Sequence, residues 1–375
     1  MEVYFPPVIA NATDFPAVTI KASPKVDFRM LRFFRKNHYS EFIRLTKNGR
    51  GALGIVGQQL KYNDRKNVIL IPAYHCPALV EPFIWLNYEI RFYPLNPDLS
   101  VDIEQFNALA QDDVTHCIVV RFFGFSQNIE ALKSSAKTHN LLVIEDCAHA
   151  LFDILLPQSE TPADSDAQIA SINKLLPSID GGVIHFPKVR LPKLPCYSLG
   201  EECKGLMHSI GLMPFINKIR QLFRRKTSEP AELFATHVKA NKLKYFSPDD
   251  MTSGGYRHTQ WLLDYCDINR IKVKRSENFN YLVGQLKNST IGHPLFEQLS
   301  DNTPYVVPFL LNDKKYFTAL RKQGIQVLRW EEVAKSDCRI SQDYRERLVQ
   351  LPCHQSLRQN DLDEIVLQIR ALETH

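Results

Sequence analysis

The sequence predicts an α/β protein with a large, mostly parallel sheet, followed by a smaller α+β unit. From about residue 48 to 190, short β-rich runs alternate with segments of helical spacing, as in a parallel sheet whose faces are covered by helices. A proline-rich, irregular stretch then interrupts this alternation, and the rest of the chain mixes long helical patterns with few strands. The predicted parts are a large domain over 1–190 with an N-terminal arm over 1–40, a linker or insertion over 191–250 and a small C-terminal domain over 251–375.

Six runs of apolar and β-branched residues predict the strands of the large sheet. These runs are NVILIPAY (67–74), EIRFYPL (89–95), THCIVVRFF (115–123), LLVIEDC (141–147), AQIASI (167–172) and GGVIHF (181–186). Helical spacing predicts helices between them at 101–111 and 128–140, with Asn128 as the cap of the second. Ligands of such sheets bind at the carboxyl ends of the strands, which points to Tyr74, Phe123 and Asp146.

The C-terminal part is predicted to contain a long helical segment from about Tyr256 to Leu286. After it, alternation and helical spacing predict a strand, a helix, a second strand and a final helix. The sequences are PYVVPFLL (304–311), DKKYFTALRKQ (313–323), GIQVLRW (324–330) and DLDEIVLQIRALE (361–373).

Composition excludes several classes of protein. A formal charge of +5 on 375 residues is too small for a dedicated nucleic-acid binder, although it suits anionic substrates. The eight cysteines are scattered without CxxC or zinc-ligand spacing, which favours reduced thiols in the cytoplasm. The sequence starts without the pattern of a signal peptide, and no apolar stretch reaches the roughly 20 residues that span a bilayer. We expect a soluble cytoplasmic protein.

The segment 204–226 combines a broad apolar face with a basic end. Its simplest interpretation is a helix that covers a domain junction or a subunit interface. Contact with a membrane surface, or a site for an anionic or lipid-linked substrate, are the alternatives.

Glycines 49, 51 and 54 satisfy the GxGxxG pattern of dinucleotide-binding proteins. The next strand ends in Pro72-Ala73-Tyr74 without the carboxylate that would bind a ribose, so an NAD-dependent enzyme is disfavoured. The pattern still predicts a helix at 50–62 whose first amides could bind a phosphate group.

The stretch LVIEDCAHALFD (142–153) places acidic, thiol and imidazole side chains at the end of an apolar strand. A metal site is disfavoured because no second group of ligands appears at useful spacing. A Cys147–His149 nucleophile pair is possible on one face of a strand, but no third residue orients the histidine. The remaining interpretation is a carboxylate that pairs with the protonated ring nitrogen of a cofactor.

Lys174 follows the predicted strand AQIASI and precedes Asp180-Gly181-Gly182. Alone it could be a solvated loop lysine. A lysine with a lowered pKa near strand ends is also what an imine-forming residue requires. With Asp146, the two residues match the protein's contribution to pyridoxal phosphate chemistry, namely a Schiff-base lysine and a carboxylate partner for the pyridine nitrogen.

Taken together, the motifs resemble those of the DegT/StrS-type sugar aminotransferases, which are fold-type I enzymes that use pyridoxal phosphate. The resemblance rests on IEDCAHA (144–150), on the spacing from Lys174 to Gly181-Gly182, on NGRGAL (48–53) and on IPAYHCPA (71–78). It covers roughly residues 40–375 and is strongest between 47 and 186.

The resemblance implies a role for each residue of the site. Lys174 would form the Schiff base with the cofactor and carry the proton between substrate and cofactor. Asp146 would keep the pyridine nitrogen protonated, and His149 would bind the phenolic oxygen. Gly49 and Arg50 would bind the phosphate group.

Two positions depart from the family pattern. The serine expected five residues before the lysine is replaced by Ile169, so Ser171 is expected to assist with the phosphate instead. The aromatic residue expected to stack on the ring is replaced by Cys76, and Tyr74 or His75 is the candidate substitute.

The resemblance also implies a reaction and an assembly. An amino acid donor, expected to be glutamate, would give its amino group to a keto group, expected on a nucleotide-linked sugar in polysaccharide or natural-product biosynthesis. The active sites of a homodimer would lie between subunits, with GGYRH (254–258) as a weak match to the loop from the partner. A pyridoxal phosphate enzyme of condensation or elimination type, or a non-catalytic paralogue, are the alternatives.

Overall fold

The computed structural model describes residues 3–6, 18–156, 164–209, 236–238, 243–299 and 302–373. The described strands are β1 (Val3–Phe5), β2 (Ile43–Thr46), β3 (Val68–Pro72), β4 (Glu89–Tyr93), β5 (His116–Val120), β6 (Leu142–Asp146), β7 (Ala167–Ser171), β8 (Gly182–His185), β9 (Thr236–Val238), β10 (Gly292–Pro294), β11 (Val306–Leu311) and β12 (Leu348–Pro352).

The described α-helices fall between and after these strands. They are α1 (Gly49–Leu60), α2 (Pro77–Trp85), α3 (Ile103–Leu109), α4 (Ile129–Thr138), α5 (Leu151–Leu155), α6 (Ile172–Leu175), α7 (Leu199–Ser209), α8 (Arg257–Tyr265), α9 (Ile268–Leu286), α10 (Lys315–Lys322), α11 (Arg339–Arg347) and α12 (Gln359–Glu373). Short 3-10 helices occur at Phe28–Met30, Phe122–Gly124 and Pro248–Met251.

The large sheet has seven strands in the order β2-β8-β7-β6-β5-β3-β4. The five strands from β4 to β7 are parallel to their neighbours, and β8 and β2 are added antiparallel at one edge. All six predicted strands are present, and the prediction of a mostly parallel α/β sheet is confirmed. β2 was not predicted, because IRLT is short and its first three residues are only half-buried.

The central strands explain the sequence pattern of the large sheet. Every residue of β3, β5 and β7 is buried, as expected when helices cover both faces of a parallel sheet. Strands of this kind appear as continuous apolar runs rather than as alternating ones. Continuous burial therefore stabilises the sheet and directs polar side chains to the strand ends.

The C-terminal part contains an antiparallel sheet in the order β10-β11-β12, packed beside α9 and α11, and α12 packs against α9 and α10. Its predicted helices are present, but the strand predicted at 324–330 is wrong. Ile325 forms an isolated bridge with Ile20, and Leu328 forms one with Gln350. Because these residues pair with different segments, no continuous ladder forms. The division of the chain into three parts remains a prediction.

Two further expectations concern helices. Asn128 precedes α4, but its side chain does not cap the helix and instead makes two hydrogen bonds with the backbone of Val101. The description of the segment 204–226 stops at Ser209, so the helix predicted there and the alternative of a membrane contact lie mainly outside the described residues. Within the described ranges, no helix combines the length and apolar character needed to cross a bilayer.

Two glycines bring β8 against the start of α1. Gly181 has a φ of +108°, which residues with a side chain rarely adopt. A Cβ on Gly182 would lie 2.3 Å from the carbonyl oxygen of Asn48, the residue before α1. The amino end of α1 is therefore held against the sheet by main-chain contact.

Replacing Gly182 by alanine should destabilise the protein by about 1–3 kcal/mol, because the new methyl group overlaps a backbone oxygen. Urea unfolding of Gly182→Ala and of the unmodified protein would measure this loss. Gly284→Ala is the matched control, because Gly284 lies in α9 with no atom within 4 Å of the added Cβ. It should leave stability unchanged or raise it slightly. Equal stability of the two variants would contradict the prediction.

Candidate active site

A pocket opens at the carboxyl ends of β5, β6 and β7, beside the amino end of α1. This is the sheet edge at which ligands of parallel sheets bind. Of the seven site residues predicted from the sequence, six line this pocket: Gly49, Arg50, Asp146, His149, Ser171 and Lys174. The seventh, Tyr74, lies elsewhere.

Asp146 is the last residue of β6, and its side chain is 3% exposed. One oxygen accepts a hydrogen bond of 2.7 Å from the amide of Ala148. The other lies 3.4 Å from Nε2 of His75. Burial opposes protonation of His75, but negative charge on the Cys76 sulfur and on Asp146 outweighs it and raises the pKa of His75 to about 10. His75 therefore carries a proton at neutral pH and forms a buried ion pair with Asp146.

Glu145 precedes Asp146 and points to the other side of the sheet. Its carboxylate lies 2.6 Å from Nε of Arg121 and 3.6 Å from Nζ of Lys133, and Gln168 donates a hydrogen bond to it. Burial acts against ionisation, but Arg121 and Lys133 outweigh it and lower the pKa of Glu145. Two consecutive carboxylates are thus neutralised separately, one inside the pocket and one behind it.

His149 is held within an aromatic stack. Its ring lies 4.4 Å from that of Tyr305 at 15°, and its Nδ1 accepts a hydrogen bond of 3.2 Å from the amide of Phe123. Burial, together with the positive charges of Lys174 and His75, lowers the pKa of His149 well below its usual range. The imidazole is therefore neutral, with its proton on Nε2, and can donate one hydrogen bond.

Lys174 lies in α6, directly after β7, and its amine is 5.5 Å from the ring centroid of Tyr305. The expectation of a lowered pKa is wrong for the protein without a ligand. Tyr305 is the largest cause of a raised pKa, burial acts in the opposite direction, and Cys76 and Asp146 act together with Tyr305. An amine surrounded by three groups that favour its charge keeps its proton, although it is buried.

The amino end of α1 forms the polar end of the pocket. Asn48 caps the helix by accepting a hydrogen bond of 2.8 Å from the amide of Gly51, and Gly49 and Arg50 are the first helical residues. A Cβ on Gly49 would lie 3.6 Å from Oγ of Ser171, which places the serine hydroxyl beside the start of the helix. Helix amino ends carry partial positive charge, so this end of the pocket suits an anion.

Asp250 balances the positive charges around the start of α1. Its carboxylate lies 3.2 Å from Nζ of Lys47, 3.0 Å from Nδ2 of Asn48 and 4.0 Å from Nε of Arg50. Lys47 and Arg50 are thereby held at the edge of the pocket.

Tyr74 is the one predicted site residue that the structure does not bring to the pocket. Its ring is fully buried against Phe122, Trp330 and Tyr344. The two residues after it, His75 and Cys76, line the pocket instead. The chain turns between β3 and α2, so Tyr74 points into the core, whereas His75 and Cys76 face the pocket.

Two aromatic residues near the pocket were missed in the sequence. Trp330 lines it, 4.8 Å from the ring of His75 and 5.7 Å from that of His149, and Tyr305 approaches Lys174 and His149. Both come from the C-terminal part of the chain, and no local motif marks them. Only the rarity of tryptophan, with three in the chain, could have drawn attention to Trp330.

Cys147 does not act with His149 as a nucleophile pair. Its side chain is fully buried, and burial raises the pKa of its thiol well above the usual range. A thiol that stays protonated in the core is inert. Cys76 differs, because His75 and Lys174 outweigh burial and lower the pKa of its thiol.

Comparisons with known proteins agree with this geometry. Over residues 32–184, the chain matches the family model described as the DegT/DnrJ/EryC1/StrS aminotransferase family. No curated protein sequence gave a significant match.

Solved structures share the fold over almost the whole chain. PseC of Helicobacter pylori, an aminotransferase involved in the biosynthesis of pseudoaminic acid, is 15% identical with a TM-score of 0.63, covering 94% of this chain and 98% of its own. The sugar aminotransferase CalS13 of Micromonospora echinospora is 15% identical with a TM-score of 0.59, covering 95% and 99%. An aminotransferase of Brucella abortus is 15% identical with a TM-score of 0.57, covering 89% and 86%.

The family match includes β2 to β7, α1 and the residues that carry Asp146 and Lys174. Its upper limit falls within β8, directly after the Gly181-Gly182 pair. The structural matches extend the shared fold to the C-terminal part of the chain. Residues 32–184 thus match the model of the DegT/DnrJ/EryC1/StrS aminotransferase family, and the solved structures share the fold of the chain beyond them.

Proposed function

We propose that the protein is a pyridoxal phosphate-dependent aminotransferase whose reaction takes place in the pocket at the ends of β5, β6 and β7. The observation that carries the proposal is the convergence of Lys174, Asp146 and His149 on one pocket beside the amino end of α1. The match of residues 32–184 to an aminotransferase family model supports it independently of this geometry.

The polar groups of the pocket are of the kinds that would bind each part of pyridoxal phosphate. Asp146 supplies an anion for the ring nitrogen, and the neutral His149 supplies a donor for the phenolic oxygen. Lys174 lines the same pocket and would supply the amine for the aldehyde of the cofactor. The first amides of α1 and the Ser171 hydroxyl supply the anion site for the phosphate group.

Bound pyridoxal phosphate supplies an electron sink that stabilises negative charge on the substrate carbon. Asp146 contributes by favouring a proton on the ring nitrogen, since a buried carboxylate stabilises a neighbouring cation. Lys174 moves the proton to and from the substrate carbon as general base and acid. His149, fixed by Phe123 and Tyr305, orients the phenolic edge of the ring.

His75 adds a second cation beside Asp146. The protonated His75 lies 3.4 Å from the buried carboxylate of Asp146 and offsets part of the cost of burying it. The carboxylate is therefore ready to accept a hydrogen bond from a ring nitrogen.

For the substrates we propose an amino acid donor, glutamate, and a keto sugar linked to a nucleotide as acceptor. The net charge of +5 and the cations Lys47 and Arg50 at the pocket edge suit anionic substrates. CalS13 is described as a sugar aminotransferase, which supports a sugar acceptor here.

The proposal includes a homodimer. Phe28, Phe33 and Trp261 expose much of their side chains and contact one another in series, and Phe34 is fully exposed beside them. Clusters of exposed aromatic side chains are typical of protein interfaces. A second copy of the chain is the partner we propose for this surface.

Added pyridoxal phosphate should give the purified protein a visible absorption band, and Lys174→Ala should lack it, because the amine forms the covalent bond. A spectrophotometric titration measures the band. Lys188→Ala, at an exposed lysine, is the control and should retain it. Bleaching of the band by glutamate would support transamination. An unmodified protein that stays colourless would contradict the proposed cofactor, and a band indifferent to every amine would contradict catalysis.

Asp146→Asn should retain cofactor binding but slow the bleaching by glutamate at least about 100-fold, because the electrostatic stabilisation of the ring nitrogen is lost. Stopped-flow absorbance at saturating cofactor measures the rate. Asp249→Asn, at an exposed carboxylate, should react as fast as the unmodified protein. An unchanged rate in Asp146→Asn would refute the role of this residue.

The His75–Asp146 pair should make stability depend on pH. The folded-state pKa of His75 is about 10, above the ordinary value of 6.5, so its contribution is complete below pH 6.5 and is lost as the pH rises through about 10. The difference in free energy of unfolding between the cofactor-free protein and His75→Asn should shrink across this interval, as measured by urea unfolding. His293→Asn, at an exposed histidine, should show no such trend. A constant difference for His75→Asn would contradict the buried ion pair.

A further inference from the structure

Asp250 places an acidic side chain beside the end of the pocket that is proposed to bind a phosphate group. It lies in the short 3-10 helix Pro248–Met251, and its side chain is 8% exposed. A Cβ added to Gly51, in the first turn of α1, would lie 2.1 Å from the carbonyl oxygen of Asp250. The backbone of Asp250 therefore packs directly on the start of α1. A carboxylate at this place works against the binding of a second anion.

Both oxygens of the Asp250 carboxylate contact polar groups around the start of α1. Oδ1 accepts a hydrogen bond of 3.0 Å from Nδ2 of Asn48 and lies 3.2 Å from Nζ of Lys47. Oδ2 accepts a hydrogen bond of 3.2 Å from the amide of Ser247 and lies 4.0 Å from Nε of Arg50. The two basic side chains on either side of the helix start are thus paired with the same acid.

A second carboxylate holds the segment that leads to Asp250. Glu81 in α2 is fully buried and accepts hydrogen bonds of 3.1, 2.6 and 2.7 Å from the backbone amides of residues 244–246. Ser247 follows directly and forms a capping box with Asp250. Because backbone amides fix this segment on both sides of Ser247, the acidic side chain cannot leave the start of α1 without breaking several buried hydrogen bonds.

This pairing reduces the positive charge that is free to contact a bound phosphate group. Without Asp250, both Lys47 and Arg50 could turn toward an anion at the start of α1, and one acid now offsets the charge of one of these two cations. The remaining donors are neutral. They are the first amides of α1, which have no acceptor within the helix, and the hydroxyl of Ser171 beside Gly49.

We propose that Asp250 is a specificity-determining residue that limits the positive charge around the phosphate group and thereby sets how strongly the pocket prefers a phosphate-bearing ligand. This inference rests on the proposed function, since the phosphate group is that of pyridoxal phosphate. An asparagine at this position has nearly the same shape but no charge, so it would release Lys47 and Arg50 toward the ligand. The expected result is a gain of affinity, which the loss of a merely structural contact would not produce.

The test compares the binding of pyridoxal phosphate with that of pyridoxal, which lacks the phosphate group. Spectrophotometric titration gives both dissociation constants for Asp250→Asn and for the unmodified protein. Asp250→Asn should bind pyridoxal phosphate about tenfold more tightly and pyridoxal equally well, because only the phosphate group meets the released cations. The gain should shrink between about 0.05 M and about 0.5 M sodium chloride, since salt screens these charges.

Lys47→Gln separates the effect of charge from that of structure. Combined with Asp250→Asn, it should remove most of the gain, and its effect there should exceed its effect in the otherwise unmodified protein, where Asp250 already offsets the lysine charge. Asp249→Asn is the matched control. Asp249 is exposed in the same 3-10 helix, and this variant should bind both ligands as the unmodified protein does.

An unchanged or lower preference of Asp250→Asn for pyridoxal phosphate over pyridoxal would overturn this inference and leave the cofactor proposal intact. A gain that persists at the higher salt concentration and in the presence of Lys47→Gln would also overturn it, because the affinity would then not come from the released cations. An unmodified protein that forms an absorption band with neither ligand would instead overturn the proposed function.

Discussion

The neutralisation of two consecutive buried carboxylates at the end of β6 is the constraint on which the site depends. Glu145 and Asp146 point to opposite sides of the sheet because neighbouring residues on a strand alternate. Each would be strongly destabilising if left unpaired in the core. Arg121 and Lys133 neutralise Glu145 behind the sheet, and His75 pairs with Asp146 inside the pocket. The strand end can therefore place the Asp146 carboxyl group in the pocket while the sheet remains packed.

The turn after β5 connects this strand end with the C-terminal part of the chain. Phe123 has a φ of +57°, a conformation that is unfavourable for a residue with a bulky side chain. In this conformation its amide donates to His149 and its carbonyl accepts from Tyr305. Gly124 follows with a φ of +92°, and a Cβ there would lie 2.3 Å from the carbonyl oxygen of Thr303. The unfavourable backbone is thus kept by contacts that orient the imidazole.

The sequence allowed the sheet and half of the pocket to be predicted, and the reason is physical. Continuous apolar runs arise from strands buried on both faces, and the polar residues that follow them lie at one edge of the sheet, so Asp146 and Lys174 could be recognised locally. The errors concern features that depend on distant partners. Tyr74 was placed in the pocket because the turn after β3 cannot be read from spacing, and Trp330 lies in a segment whose strand-like pattern forms no ladder. The pKa of Lys174 was expected to fall because burial was visible in the sequence, whereas Tyr305 was not.

The main-chain contact between Gly182 and Asn48 bears on how this fold diverges. A carbonyl oxygen and an α-carbon are present in every residue, so an approach of this kind requires only the absence of a side chain at one position. This contact fixes the distance between β8 and the amino end of α1, and that distance does not depend on the side chains around it. Substitutions can accumulate throughout the surrounding core while the spacing between the reactive groups persists. A site whose spacing is set by contacts between backbone atoms is expected to keep its fold at an identity as low as 15%.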